Sequence, residues 1–356
     1  MKDSIALLKE LIPLRPVSAD VEAVNRATQA LHAYLSEAGA HCCIEEVDGR
    51  QVLYAATEAT KTPAVLLNAH VDVVPADDGQ FVPREADGWL HGRGSGDCLG
   101  HAVICAQAVV RSLGKASVGA VFSADEEIGG ATTLAMVQRG YGARCLILVV
   151  DGASGAIAVA QKGILSFTLQ ATGKAAHSST PWKGVNAIDR LIDGYLSIRE
   201  LFPAVVPGDE WHNTMAAACI EGGTAHNRIP DEAKMTINIR YVDPAERETI
   251  ENRIRELSGL ELGVVMQCDP VVFAEDTPEF AALAACMRES LKADIAFVRM
   301  NGATDARHFA QSTAPVAIIG APGRDIHGND EAVDIQALRQ YEELLVESIR
   351  QLGMES

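Results

Sequence analysis

The stretch AVLLNAHVD, residues 64–72, runs an aliphatic segment straight into a histidine and an aspartate two positions apart. Short aliphatic runs of this kind read as buried strands. A buried strand has no use for an imidazole or a carboxylate at its end. His70 and Asp72 therefore mark the point where a strand leaves the core and chemistry begins.

The same arrangement recurs along the chain. GAVFSA (119–124) runs into Asp125, Glu126 and Glu127; CLILVV (145–150) runs into Asp151; VAIIG (316–320) leads to a polar loop holding His327. Between them, HAVICAQAVVRSL reads as a buried helix, and residues 20–38 space their apolar positions as an amphipathic helix does. Strands alternating with helices predict an α/β domain with a largely parallel central sheet flanked by helices. In such sheets ligands bind beyond the carboxyl ends of the strands.

From residue 163 the pattern changes to strand, helix, strand, strand, helix, strand, ending near 269. This is the βαββαβ order of a ferredoxin-like unit. The predicted organisation is a catalytic domain of residues 1–162 and 270–356, with residues 163–269 inserted as a second domain.

The 356 residues, 48% of them apolar, suit a large core. A net charge of −18 argues against a nucleic-acid footprint or an anionic membrane surface. The N-terminal segment lacks the features of a signal peptide and no stretch has the length of a membrane span, so a cytoplasmic location is expected. The eight cysteines form no C-x-x-C pair and read as reduced thiols rather than a disulfide framework.

Asp97, in the glycine-rich HGRGSGDCLGH just before a helix, adds a further acid to those at the strand ends. Taken singly, each such residue has an ordinary explanation: a satisfied histidine, a solvated acid, a helix cap or a turn. At the ends of neighbouring parallel strands they converge on one rim. Imidazoles mixed with carboxylates suit zinc, manganese or cobalt better than magnesium.

The ordered set HVD, GRGSGD, DEEIGG, DG, HSSTP and HGNDE resembles the dinuclear zinc amidohydrolases and metallopeptidases, the superfamily of aminoacylase, acetylornithine deacetylase, succinyl-diaminopimelate desuccinylase, glutamate carboxypeptidase and related di- and tripeptidases. The resemblance covers nearly the whole chain. It implies two divalent metal ions per subunit, Zn2+ with Co2+ or Mn2+ as alternatives. Asp97 would bridge them, with His70 and Asp151 completing one site and Glu127 and His327 the other. Asp72 would orient His70, and Glu126 would be the general base acting on a metal-bridging water. His177, in the HSSTP segment, would stabilise the oxyanion from a partner subunit. Asn227 and Arg240 would grip a substrate carboxylate, and Gly302 and Thr304 of NGATDARHF would contact the substrate backbone. The inserted domain would serve as lid and homodimer interface, and a cis peptide bond is expected between Asp97 and Cys98. His91, His101, His212, His226 and His308 match no family role and read as structural.

The implied activity is hydrolysis of amide bonds in short peptides or N-acyl amino acids. The alternatives are hydrolysis of a ureido or amidino bond, and a catalytically silent relative that binds ligands or regulates. One departure stands out: where relatives carry Met-Lys-Gly-Gly after the bridging aspartate, this chain has Cys98-Leu99-Gly100-His101. Asp151 is a second clue, because di- and tripeptidases of the superfamily carry Asp there whereas desuccinylases and glutamate carboxypeptidases carry Glu.

Overall fold

Val65–His70 is a strand buried along its entire length, as its aliphatic composition requires. In the computed structural model, which describes residues 2–353, it lies inside a mixed sheet. Six of the sheet's nine described strands run, in order, His41–Val47, Arg50–Ala56, Val118–Ser123, Val65–His70, Leu146–Ser154, Val316–Gly320. The last four of these are mutually parallel, and the first two form an antiparallel hairpin at the edge.

Both faces of the parallel strands are covered, which explains why they read as continuous apolar runs. Val65, Leu67, Phe122, Leu148 and Ile319 join one core cluster with the helices Leu99–Ser112 and Ile335–Leu352. Leu66, Val121, Val149 and Ile318 face the other way into a second cluster. The helix Leu99–Ser112 is buried along almost all its length, as the reading of HAVICAQAVVRSL predicts.

Two features escape the strand-and-helix reading. The strand Leu146–Ser154 continues through Asp151 instead of ending before it. A small antiparallel sheet also joins Gly323–Arg324, Ala332–Asp334, Trp89–His91 and Arg84–Ala86. Its strands are two or three residues long, too short to leave a periodic signal, yet they tie the loop carrying His327 to the segment leading into Asp97.

The chain divides into two units. One takes the chain up to Val159, Val272–Met300 and the part from Thr304 onward; the other takes Ala160–Val271 with Asn301–Ala303. The second unit holds an antiparallel sheet in the order Thr214–Gly222, Glu232–Tyr241, Gly163–Thr172, Glu261–Cys268. Its helices Ala187–Arg199 and Arg247–Ser258 bury Leu191, Ile198 and Ile254 against Leu165, Phe167, Leu169 and Ile237. This is the βαββαβ order expected. No described helix is long and apolar enough to cross a membrane.

Gly100, in the first turn of Leu99–Ser112, has no room for a side chain: a Cβ there would overlap the backbone carbonyl of Ser95, in the turn that carries Asp97. Gly100→Ala should therefore push helix and turn apart, costing about 1–3 kcal/mol. Urea denaturation should show a lower midpoint with an unchanged m-value.

Candidate metal centre

Parallel register decides which side chains meet. His70 pairs with Ser123 across one strand interface, and Asn68 with Val149 across the other. The residues just beyond, Glu126 and Glu127 on one side and Asp151 on the other, thereby reach the same rim as His70. His327 comes from the loop after Val316–Gly320, and Asp97 from the turn before Leu99–Ser112.

Two donor groups result, and Asp97 belongs to both. In the first, His70 Nε2 lies 2.9 Å from Asp97 Oδ1 and 3.9 Å from Asp151 Oδ1. In the second, His327 Nε2 lies 3.2 Å from Asp97 Oδ2 and 3.1 Å from Glu127 Oε1. Within each group the potential ligand atoms all lie within 4.8 Å of one another, and Cys98 Sγ falls into the first group. Two imidazoles, three carboxylates and a thiol are the donor chemistry of divalent transition metals, so these residues fit such ions. The Asp97–Cys98 peptide bond is cis.

The groups around these donors aim them. His70 Nδ1–H donates to the backbone carbonyl of Asp72 at 2.9 Å, so Nε2 is the ring nitrogen turned towards Asp97 and Asp151. The Asp72 carboxylate stands 3.4 Å from the same ring nitrogen and does more besides. It accepts from the backbone N–H groups of Glu126 and Glu127, at 3.0 and 3.3 Å, and from the Ser18 hydroxyl at 2.7 Å. A single buried aspartate thus holds the histidine and the paired glutamates together. Asp125, the first acid of DEEIGG, turns away and caps Thr132 at the start of the next helix.

Three residues with no role in the sequence reading prove central. Arg93 and Glu331 form a fully buried ion pair at 2.5 Å. Glu331 Oε1 accepts from the N–H groups of Gly96 and Asp97, while Arg93 donates to the carbonyls of His327 and Gly328. Arg307 donates to Glu126 Oε1 at 3.2 Å. All three sit inside the quoted motifs GRGSGD, HGNDE and NGATDARHF, but only contact distances reveal what they do.

Of the residues expected to meet substrate, Thr304 is buried in the first unit and caps the turn Asp305–Phe309. The others belong to the second unit. His177 is exposed, its ring beside the Ser179 hydroxyl at 2.8 Å, and the carbonyl of Asn227 accepts from Ser178 N–H. Arg240 lies on Glu232–Tyr241, its Nε donating to Asn238, and Gly302 is exposed.

A sequence model of peptidase family M20/M25/M40 matches residues 66–351. The chain belongs to this family. It is thus an enzyme of a metallopeptidase and deacylase family. A probable succinyl-diaminopimelate desuccinylase of Staphylococcus aureus (strain MRSA252) is 24% identical, across 98% of this chain and 97% of its own length. A succinyl-diaminopimelate desuccinylase of Bradyrhizobium diazoefficiens is 27% identical, across 96% of each. Among solved structures, an M20 family metallo-carboxypeptidase from Sulfolobus solfataricus superposes with a TM-score of 0.85 at 15% identity, covering 99% of this chain and 100% of that one. Aminopeptidase PepT from Bacillus cereus gives 0.77 at 19% identity, over 98% and 99%. These structures share the fold of this M20 chain.

The electrostatics of the M20 cluster follow from crowding acids in a dry rim. Burial, with Asp97 close by, pushes Asp151 up to about 7. Hydrogen bonds to Asp97 and Glu127 raise His327 to about 10. At neutral pH, without an ion, His327 therefore carries a proton and Asp151 holds one part of the time. Ligation needs both deprotonated, so a divalent cation must displace protons, and its apparent affinity should rise as pH climbs towards 10. Calorimetric Zn2+ titrations in buffers of different ionisation enthalpy should show net proton release at about pH 7. An affinity flat between about pH 6 and 9 would contradict this linkage. Glu331→Ala should strand the Arg93 charge in the core, costing about 3–5 kcal/mol, and should weaken metal affinity alongside the loss of thermal stability.

Proposed function

We propose that this M20 chain is a dinuclear metal-dependent hydrolase of amide bonds in small substrates, short peptides or N-acyl amino acids. One observation carries the reading: Asp97 turns one carboxylate oxygen to each donor group, Oδ1 to His70 and Oδ2 to His327, with a separate carboxylate, Glu126, beside them. Divalent ions, when bound, supply Lewis acidity able to lower the pKa of a water from ~16 towards 7.

The chain's own residues account for the rest. Burial raises the Glu126 carboxyl well above its ordinary value; Asp151 and Asp305 add to this, while His70 and Arg307 oppose it. Such a carboxyl is suited to take a proton from the attacking water and pass it to the leaving nitrogen. Amide and water then become carboxylate and amine, with the proton accounted for. Arg307 holds the Glu126 carboxylate in one orientation, and Asp72 fixes the backbone on which Glu126 and Glu127 sit.

Desuccinylase, carboxypeptidase and aminopeptidase are the names its relatives and fold neighbours carry, and these names share amide hydrolysis. By resemblance we assign Arg240 and Asn227 to a substrate carboxylate, Gly302 and Thr304 to its backbone, and His177 to the oxyanion, delivered across a homodimer. The second unit's Thr214–Gly222 strand supports the last point: it bonds to one neighbour in its sheet and leaves an exposed edge for a second copy.

The test is a screen of dipeptides, tripeptides, N-acetyl, N-succinyl and N-carbamoyl amino acids with Zn2+, Co2+ or Mn2+. Peptides or N-acyl amino acids should be turned over. Glu126→Gln should keep its metal content and melting temperature while kcat falls about 10²–10⁴-fold or more. Turnover near the parent level in that variant would remove Glu126 from the base role, and turnover confined to N-carbamoyl substrates would overturn the substrate class.

A further inference from the structure

Cys98 follows Asp97 directly and is fully buried. Its Sγ lies within 4.8 Å of the donor atoms of His70, Asp97 and Asp151, and among the described residues no other cysteine joins such a group. The thiol is not part of a disulfide. The thiol donates to the Val150 carbonyl at 3.3 Å, a bond that ligation would replace, and His101 Nδ1 stands 3.6 Å from the sulfur.

The tautomer of His101 is settled by its far side. The backbone N–H of Ala321 donates to His101 Nε2 at 2.9 Å, so that nitrogen carries the lone pair and Nδ1 carries the hydrogen. Nδ1–H is thus directed at the Cys98 sulfur. The thiolate is the form that binds metal, and a donor already directed at the sulfur can stay bonded to it there. The structure thus puts Cys98 and His101, three residues apart at the start of the buried helix, in contact.

We propose that Cys98 is a further ligand of the ion held by His70, Asp97 and Asp151, an inference that rests on the metal-centre reading above. Ligation breaks the S–H bond, releases its proton to solvent and gives a sulfur lone pair to the cation; no electron changes hands. The two sites of the pair then differ in kind. One offers sulfur, nitrogen and oxygen, the other (Asp97, Glu127, His327) nitrogen and oxygen alone. A soft thiolate tilts its own site towards Zn2+ and away from Mn2+, so the chain would take mixed metals in a defined order.

Cobalt reports on this without reference to turnover. The full-length protein, stripped of metal and kept reduced, is titrated with Co2+ while bound cobalt and the near-ultraviolet sulfur-to-cobalt charge-transfer band are followed together. The expected result is two cobalt ions per chain and an intense band that saturates with one of them. Cys98→Ala should lose the band. Two ions bound with no band would overturn thiolate ligation and leave the dinuclear reading intact, whereas failure to bind cobalt would overturn both. A band surviving in folded Cys98→Ala would belong to another thiol and would also overturn the proposal. Should that variant not fold, X-ray absorption of the parent protein loaded with Zn2+ decides: a sulfur scatterer at ~2.3 Å supports the proposal and its absence overturns it.

Discussion

Because Val118–Ser123, Val65–His70, Leu146–Ser154 and Val316–Gly320 run parallel and in register, residues far apart in the chain leave the sheet along one rim. Everything chemical about this M20 chain depends on that register. Side chains alternate faces along a strand, so a slip of one residue would turn His70 and Asp151 away from each other. The aliphatic positions prevent such a slip, since it would also exchange the two buried faces of each strand.

Holding Asp97 and His327 at the rim needs a different device, because neither lies on the central sheet. The buried Arg93–Glu331 pair supplies it, each partner bonding backbone groups of a ligand-bearing loop. A buried ion pair is weak evidence for stability, because desolvation offsets much of the attraction. Here its geometry is better understood as positioning: a guanidinium fork and a two-oxygen carboxylate can each make several bonds in fixed directions. The small sheet through Trp89–His91 and Ala332–Asp334 reinforces the same connection.

The cluster concentrates negative charge where water is scarce. Such a site needs compensation, by protons at some carboxyls and at His327 or by cations. That is why Glu126 and Asp151 are raised while Asp97 is held low: burial pushes Asp97 up, but hydrogen bonds from His327 and His70 outweigh it. The charge distribution that resists burial without ions is the one that favours ions. Backbone N–H groups and the Ser18 hydroxyl satisfy the Asp72 carboxylate.

By itself the sequence determined the α/β class and the βαββαβ order of the second unit, and it marked His70, Glu127 and Asp151 at the ends of apolar runs, with Asp97 and His327 in polar loops. The first two are properties of local periodicity, the others of residue type and motif. The grouping of donors around Asp97 was anticipated by the family resemblance; the tertiary structure alone decided that Asp72 serves the paired glutamates as well as His70 and that Cys98 joins one donor group. It also decided the roles of Arg93, Glu331, Arg307 and His101, which stand in recognisable motifs or beside them but act through partners as distant in sequence as Glu331 from Arg93. Periodicity records which face a side chain takes. The partner it meets there depends on the packing of other segments, and a linear pattern carries no trace of that.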